Sequence, residues 1–286
     1  MSEFTQEEYA GSDYRYRKRI LVTIFSQPSV PLNTNWTVKK TMVEDNNRGE
    51  SDVDIAYLED VFKTIHYPEN AEVRVKTRFG KEQIKKYISD LGNPEQYDSF
   101  FFVFLTFLSC ETKKISSSVN QQQEYQDERI HFKDGPCPLQ EIYDEVKKVK
   151  AMWMKPKIFL IQADDISLLY PEQFAKGEEL VKRVKIPQDA DRLIIMSDIP
   201  QKVANPLEGD RNQSFLIRAF GETLIENSQA KPEERQDVLS LTTTINGKVD
   251  AMIEELKKQD KTNQTNRAAD MKVPLVTSTL TKLARI

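Results

Sequence analysis

Two kinds of apolar pattern run along the chain. Ile20-Leu-Val-Thr-Ile-Phe25, Phe100 to Leu108, Ile158 to Ile161 followed by Ala163, and Leu193-Ile-Ile-Met196 are short, nearly unbroken apolar runs. Such runs predict strands covered on both faces. Glu72-Val-Arg-Val75 alternates and predicts another strand, and Pro274 to Leu280 predicts a last one. Asp52 to Ile65 carries apolar residues at 55, 58, 61, 62 and 65, a helical stripe with Ser51 available as its N-cap. Glu82 to Leu91, Leu139 to Val149, Ser214 to Ile225 and Asp237 to Leu256 are also predicted helices. Residues 112 to 128, rich in Ser and Gln, predict a polar loop. Strands alternating with helices imply an α/β protein with a largely parallel sheet covered on both faces.

Composition bounds the class without naming a chemistry. The chain has 286 residues, 38% of them hydrophobic, which suits one globular unit of the larger kind. A net charge of −4 gives no reason to expect nucleic acid or an anionic membrane as main partner. The longest apolar run, Phe100 to Leu108, is interrupted by Thr106 and is far too short to span a bilayer. Residues 1–16 are polar and acidic, unlike a secretory signal, and read as a short disordered leader. Two cysteines, Cys110 and Cys137, cannot build a disulfide framework, which agrees with a reducing, cytoplasmic setting.

The stretch Lys155-Pro-Lys-Ile-Phe-Leu-Ile-Gln-Ala-Asp164-Asp165 resembles the signature strand of the caspases. That strand ends Gln-Ala-Cys-Arg-Gly, with the catalytic His roughly 50 residues upstream. Here Asp164, Asp165 and Ile166 hold the places of Cys, Arg and Gly. Upstream, Leu108-Ser109-Cys110-Glu111 resembles the family's Leu-Ser-His-Gly, with Cys110 in place of the His. Further segments follow in the family's order. Arg48 precedes Ser51-Asp-Val-Asp-Ile-Ala-Tyr-Leu58, and Ile186-Pro-Gln-Asp-Ala-Asp191 resembles the opening of the small subunit. Ser214-Phe-Leu-Ile-Arg resembles the family's Ser-Trp-Phe-Ile-Gln, and Lys272 to Lys282 its closing strand.

The resemblance covers about residues 17 to 286 and implies a caspase-like three-layer sandwich. A central six-stranded, mostly parallel sheet would carry about five helices on its two faces. The same resemblance implies a large-subunit-like part at 17–166, an intersubunit linker at 167–185, and a small-subunit-like part at 186–286. From Ile166 to Gln188 there is no Asp, so the linker offers no site for the cleavage after Asp that activates effector caspases.

A cysteine protease needs a thiolate and a base that shuttles a proton near neutrality, the usual role of His. On this alignment both are lost. No catalytic residue is assigned, and the degenerate positions are Cys110, Glu111 and Asp164. Neither His66 nor His131 maps to the base position. Cys110 with Asp164 as its base would be a poor pair, because a carboxylate raises a thiol's pKa. Glu111 would set negative charge near any developing oxyanion. Of the pocket that holds an aspartate in caspases, Arg48 and Gln162 are matched, whereas the second Arg falls near Pro206. The acidic groups lack the spacing of a metal site, so neither metal nor cofactor is expected. Glu111 and Asp164 are expected side by side at the carboxyl ends of adjacent strands.

In caspases the closing strand pairs with its copy in a second molecule. Its counterpart here is Leu275, Val276, Thr277, Ser278, Thr279 and Leu280, with β-branched residues suited to strand pairing. The resemblance therefore implies a catalytically inactive homologue, a pseudocaspase, that regulates apoptotic caspases through protein contacts. Its partner would be an active caspase or a caspase activator, with a homodimer as a further option. An interaction protein outside apoptosis and an endopeptidase with a rearranged site are the alternatives.

Overall fold

The computed structural model describes residues 11–14, 19–30, 51–65, 71–116, 122–169, 190–201, 213–260 and 271–285. Its strands are β1 (Arg19–Ser26), β2 (Glu72–Thr77), β3 (Tyr97–Ser116), β4 (Gln122–Phe132), β5 (Gly135–Pro138), β6 (Lys157–Asp165), β7 (Arg192–Ser197) and β8 (Leu275–Ser278). Its α-helices are α1 (Ser51–Thr64), α2 (Lys81–Ser89), α3 (Leu139–Lys148), α4 (Ile166–Leu169), α5 (Phe215–Gln229) and α6 (Val238–Asp260).

The four apolar runs become the middle of one sheet, ordered β2-β1-β3-β6-β7-β8. Every pair along that path is parallel except β7 with β8, which is antiparallel. Side chains alternate across each strand, so one run feeds two cores. Val22, Val103, Leu160 and Ile195 face α1, α5 and α6, packing with Phe62, Phe220 and Ile245. Phe102, Phe104, Phe159 and Ile161 face α2 and α3, packing with Ile84, Ile142 and Val146. Each large side chain so buried contributes about 1.5–3 kcal/mol relative to exposure. Stacked rings (Phe25 on Phe104 at 5.1 Å, Phe102 on Phe159 at 5.3 Å) tie β1, β3 and β6 together on the second face. The result is the three-layer α/β sandwich expected from the pattern.

Three details depart from expectation. The polar stretch 112–128 is not a loop over its length: β3 continues to Ser116 and returns as β4, paired from Leu108↔Ile130 to Ser116↔Gln122. A hairpin ladder is satisfied by backbone hydrogen bonds, so it needs no apolar period for a sequence reading to detect. With β5 paired to β4, the sheet has eight strands, six of them on the expected path. Helix α1 begins at Ser51 itself instead of following it as a cap.

The stretch 1–16, read as a leader, includes residues 11–14, which join the tail: Tyr14 N–H donates to the Leu283 carbonyl, and Leu283 N–H to that of Ser12. The linker expected at 167–185 lies outside the described residues apart from the end of α4. On its two sides β6 and β7 pair directly.

Candidate functional site

The carboxyl end of β6 delivers Gln162 and Asp164 to the same face, two residues apart, and both are buried. Burying a carboxylate requires hydrogen-bond partners. The Gln162 Nε2 group donates to Asp164 Oδ1 at 3.2 Å and to the Ile199 carbonyl at 2.7 Å. The backbone N–H of Gln201 donates to Asp164 Oδ2 at 3.1 Å. Asp164 thus pins the segment after β7 to the end of β6. The amide of Gln162 has both N–H groups engaged within the chain, while its Oε1 is buried without a hydrogen bond. Asp165 does local work: its Oδ1 accepts the N–H and the hydroxyl of Ser167, each at 2.7 Å, across the first turn of α4.

The residue level with Asp164 on the neighbouring strand is Phe107, and Leu108 stands level with Asp165. Lateral neighbours in a parallel sheet share a face, so Phe107 lies beside Asp164, about 4.8 Å away along the hydrogen-bonding direction. Phe107 is 1% exposed and packs in a small cluster with Val30 and Ile166, with Leu169 against it. An apolar plug therefore lies beside Asp164 at the carboxyl ends of β3 and β6, the crevice end where open α/β sheets place their sites.

Residues 39–284 match the family model described as the caspase domain. The chain belongs to the caspase family. Among solved structures it is similar to pro-sf-caspase-1, at 20% identity and TM-score 0.64, over 97% of this chain and 99% of that one. It is also similar to caspase-1 from Spodoptera frugiperda, at 20% identity and TM-score 0.60, over 96% of this chain and 93% of that one. At that identity the likeness is one of fold. No curated protein sequence matches the chain.

Sheet register corrects the expected neighbours of Asp164. Cys110 pairs with Glu128 and Glu111 with Asp127, both on the hairpin beyond the end of β6. Glu111 stands four residues past Phe107 along β3, a rise of about 13 Å at about 3.3 Å per residue. Glu111 and Asp164 are not side by side. Cys110 is three residues past Phe107, an odd number, so its side chain leaves the opposite face of β3 from the one that carries Asp164 on β6. A tetrapeptide resemblance had set the alignment by composition, whereas lateral position is fixed by where the two strands begin to pair, Phe100 with Lys157. Arg48 and Pro206 lie outside the described residues.

One histidine does come near this end of the sheet. His131 on β4 is buried, with Nε2 2.8 Å from the Ser109 hydroxyl oxygen on β3. Burial, with the Arg129 charge adding to it, pushes the imidazole down to about 4, so it is neutral at pH 7. Its Nδ1 is buried with no hydrogen-bond partner. The neutral ring has one donor and one acceptor nitrogen, so Nε2 donates to the Ser109 hydroxyl in one tautomer and accepts from it in the other. The sequence held no sign of this contact, because the hairpin that creates it was read as a loop.

Cys137, the second thiol, is buried and pushed up to about 12, chiefly by burial and then by the Glu141 charge, so it is protonated at pH 7. Among the described residues no three or more of His, Cys, Asp and Glu are grouped to hold a metal ion, and no helix is long and apolar enough to cross a membrane. Among the described residues the closing strand β8 ends the sheet path, with β7 on one side only. Of the expected interface residues, Leu275 and Ser278 are exposed and Val276, Thr277, Thr279 and Leu280 half-buried.

Proposed function

We propose that this caspase-family chain has no peptidase activity and acts through protein contacts on an active caspase or a caspase activator. What carries the reading is the pair at the crevice: Asp164 where the signature strand resembles the nucleophile position, and Phe107 level with it. A carboxylate held by Gln162 and the Gln201 N–H is not a thiol, and a phenyl ring neither takes nor gives a proton. The position of Cys110 supports the same reading, because its side chain leaves the opposite face of β3 from the one that carries Asp164 on β6.

Recognition of an acidic side chain is supported no better. Gln162, the matched pocket residue, spends its amide donors on the chain's own Asp164 and Ile199. An incoming aspartate would have to displace an intramolecular carboxylate first.

The edge of β8 supports the contact function. Its far side, unpaired among the described residues, offers a row of backbone donors and acceptors, and Leu275 is 46% exposed beside it. A caspase carrying the same closing strand would be able to pair there, and so would a second copy of this chain. Two cysteines, both free, fit a cytoplasmic setting shared with such a partner. The direct test is to mix the purified chain with an active caspase and follow hydrolysis of an Asp-ending fluorogenic peptide. A changed rate in the mixture with none from this chain alone supports the proposal; turnover by this chain alone overturns it.

A further inference from the structure

Five large hydrophobic side chains are exposed among the described residues: Trp153, Leu239, Val273, Leu275 and Leu283. Leu239 starts α6, which is bonded to the tail through Val238 N–H and the Ala284 carbonyl; Val273, Leu275 and Leu283 lie on or beside β8 and that tail. Trp153 stands apart. It occupies the turn between α3 and β6, at the amino end of β6 and so at the opposite end of the strand from Asp164.

The indole is fixed and yet exposed. Its Nε1–H donates to the Lys147 carbonyl at 2.9 Å, satisfying an end carbonyl of α3, and its backbone N–H donates to Lys150 at 3.0 Å. The residue nonetheless remains 49% exposed. Met154, next in the chain, is held at φ 60°, a left-handed conformation that bulky residues rarely adopt. Nothing about capping one carbonyl needs an indole; a small polar side chain would serve.

The sequence that holds the ring is locally rich in lysine. From Val146 to Ala163 the chain carries five lysines and no carboxylate. Three of them are committed: Lys148 to Glu145 at 2.7 Å, Lys155 to the carbonyls of Pro94 and Tyr97, and Lys157 to that of Met152. Lys147 and Lys150 are exposed and have no acidic partner among the described residues.

We propose that Trp153, Lys147 and Lys150 form a docking surface for a short acidic segment of a partner protein, one apolar residue of which lies on the indole. Rigid Trp faces anchor interfaces, and flanking cations add attraction and steering toward carboxylates. A nucleic acid or a membrane fits less well, since each presents a broad anionic surface. Exposed Glu95, on a turn packed against Lys150–Met152, would oppose such a surface, as would the net charge of −4. The surface lies at the opposite end of β6 from the crevice, so it stands whether or not the chain regulates a caspase.

The test uses the full chain and a short fluorescein-labelled peptide of Glu and Ser with one central Phe, alongside its Gln analogue, read by anisotropy at two salt concentrations. Saturable binding is expected for the Glu peptide, weakened about tenfold or more by the double variant Lys147→Glu/Lys150→Glu and by Trp153→Ala. Trp153→Phe, which loses the cap but keeps a ring, should retain most of the affinity and so separates the surface from the turn's stability. Equal binding of the Gln peptide, no effect of the charge reversal, or tighter binding to anionic vesicles or an oligonucleotide than to the peptide overturns the proposal.

Discussion

The carboxylate of Asp54 on α1 accepts both the backbone N–H (2.8 Å) and the hydroxyl of Ser214, the residue that opens α5, 160 positions later in the chain. Both residues are buried. A negative charge at a helix N-terminus also meets the favourable end of the helix dipole. Two segments that resemble the family separately in sequence are thus one contact in space. Asp54→Ala withdraws both bonds from a buried helix start and should lower stability by about 2–3 kcal/mol. Urea unfolding reads this as a lower midpoint at unchanged slope. A loss below about 0.5 kcal/mol would show that α1 and α5 are held by packing alone.

His131 predicts a pH dependence. Its folded-state pKa, about 4, lies below the ordinary 6.5, so between those values the unfolded chain binds the proton more readily. Stability from this group is complete above about pH 6.5 and falls as the pH drops toward 4, by on the order of 2–3 kcal/mol. Urea midpoints measured across that window should fall for the natural chain and fall less for His131→Gln. Parallel curves would mean that His131 is protonated as easily folded as unfolded.

Legibility in the sequence followed burial. Ile20–Phe25, Phe100–Leu108, Ile158–Ala163 and Leu193–Met196 could be read as strands because each is covered on both faces, which leaves an apolar run in the chain. Gln162 and Asp164 could be placed at the carboxyl end of the sheet because they end such a run. The ribbon from Ser109 to Arg129 could not, since its pairing is carried by the backbone. Phe107 was hidden for a different reason. Inside an apolar strand it looks like any core residue, and only the Phe100↔Lys157 register shows that it is the one facing Asp164. Val30, which helps to seal the crevice, leaves no mark in any motif.

The plug itself makes a prediction. Asp164→Cys should give a poorly reactive thiol, because burial raises its pKa and Phe107 supplies no base. Adding Phe107→His places an imidazole level with the thiol, and alkylation by iodoacetamide at pH 7 should then quicken about tenfold or more. Equal rates for the single and double variants would show that positions 107 and 164 do not face each other.

The β8 edge predicts self-association or pairing with a caspase. Leu275→Lys places charge on a strand edge that is unpaired among the described residues, at an exposed side chain outside the core clusters. Sedimentation velocity should show the dissociation constant of any dimer, with itself or with a caspase, raised about tenfold or more. Unchanged association would move the contact to another surface.

The most direct measurement is hydrolysis of an Asp-ending fluorogenic peptide by the purified chain alone, and by an active caspase with and without it. The expected result is no turnover alone and a changed caspase rate in the mixture, changed less by the Leu275→Lys variant. Turnover by the chain alone, abolished by Asp164→Ala or by Cys110→Ala, would contradict the loss of catalysis at its root.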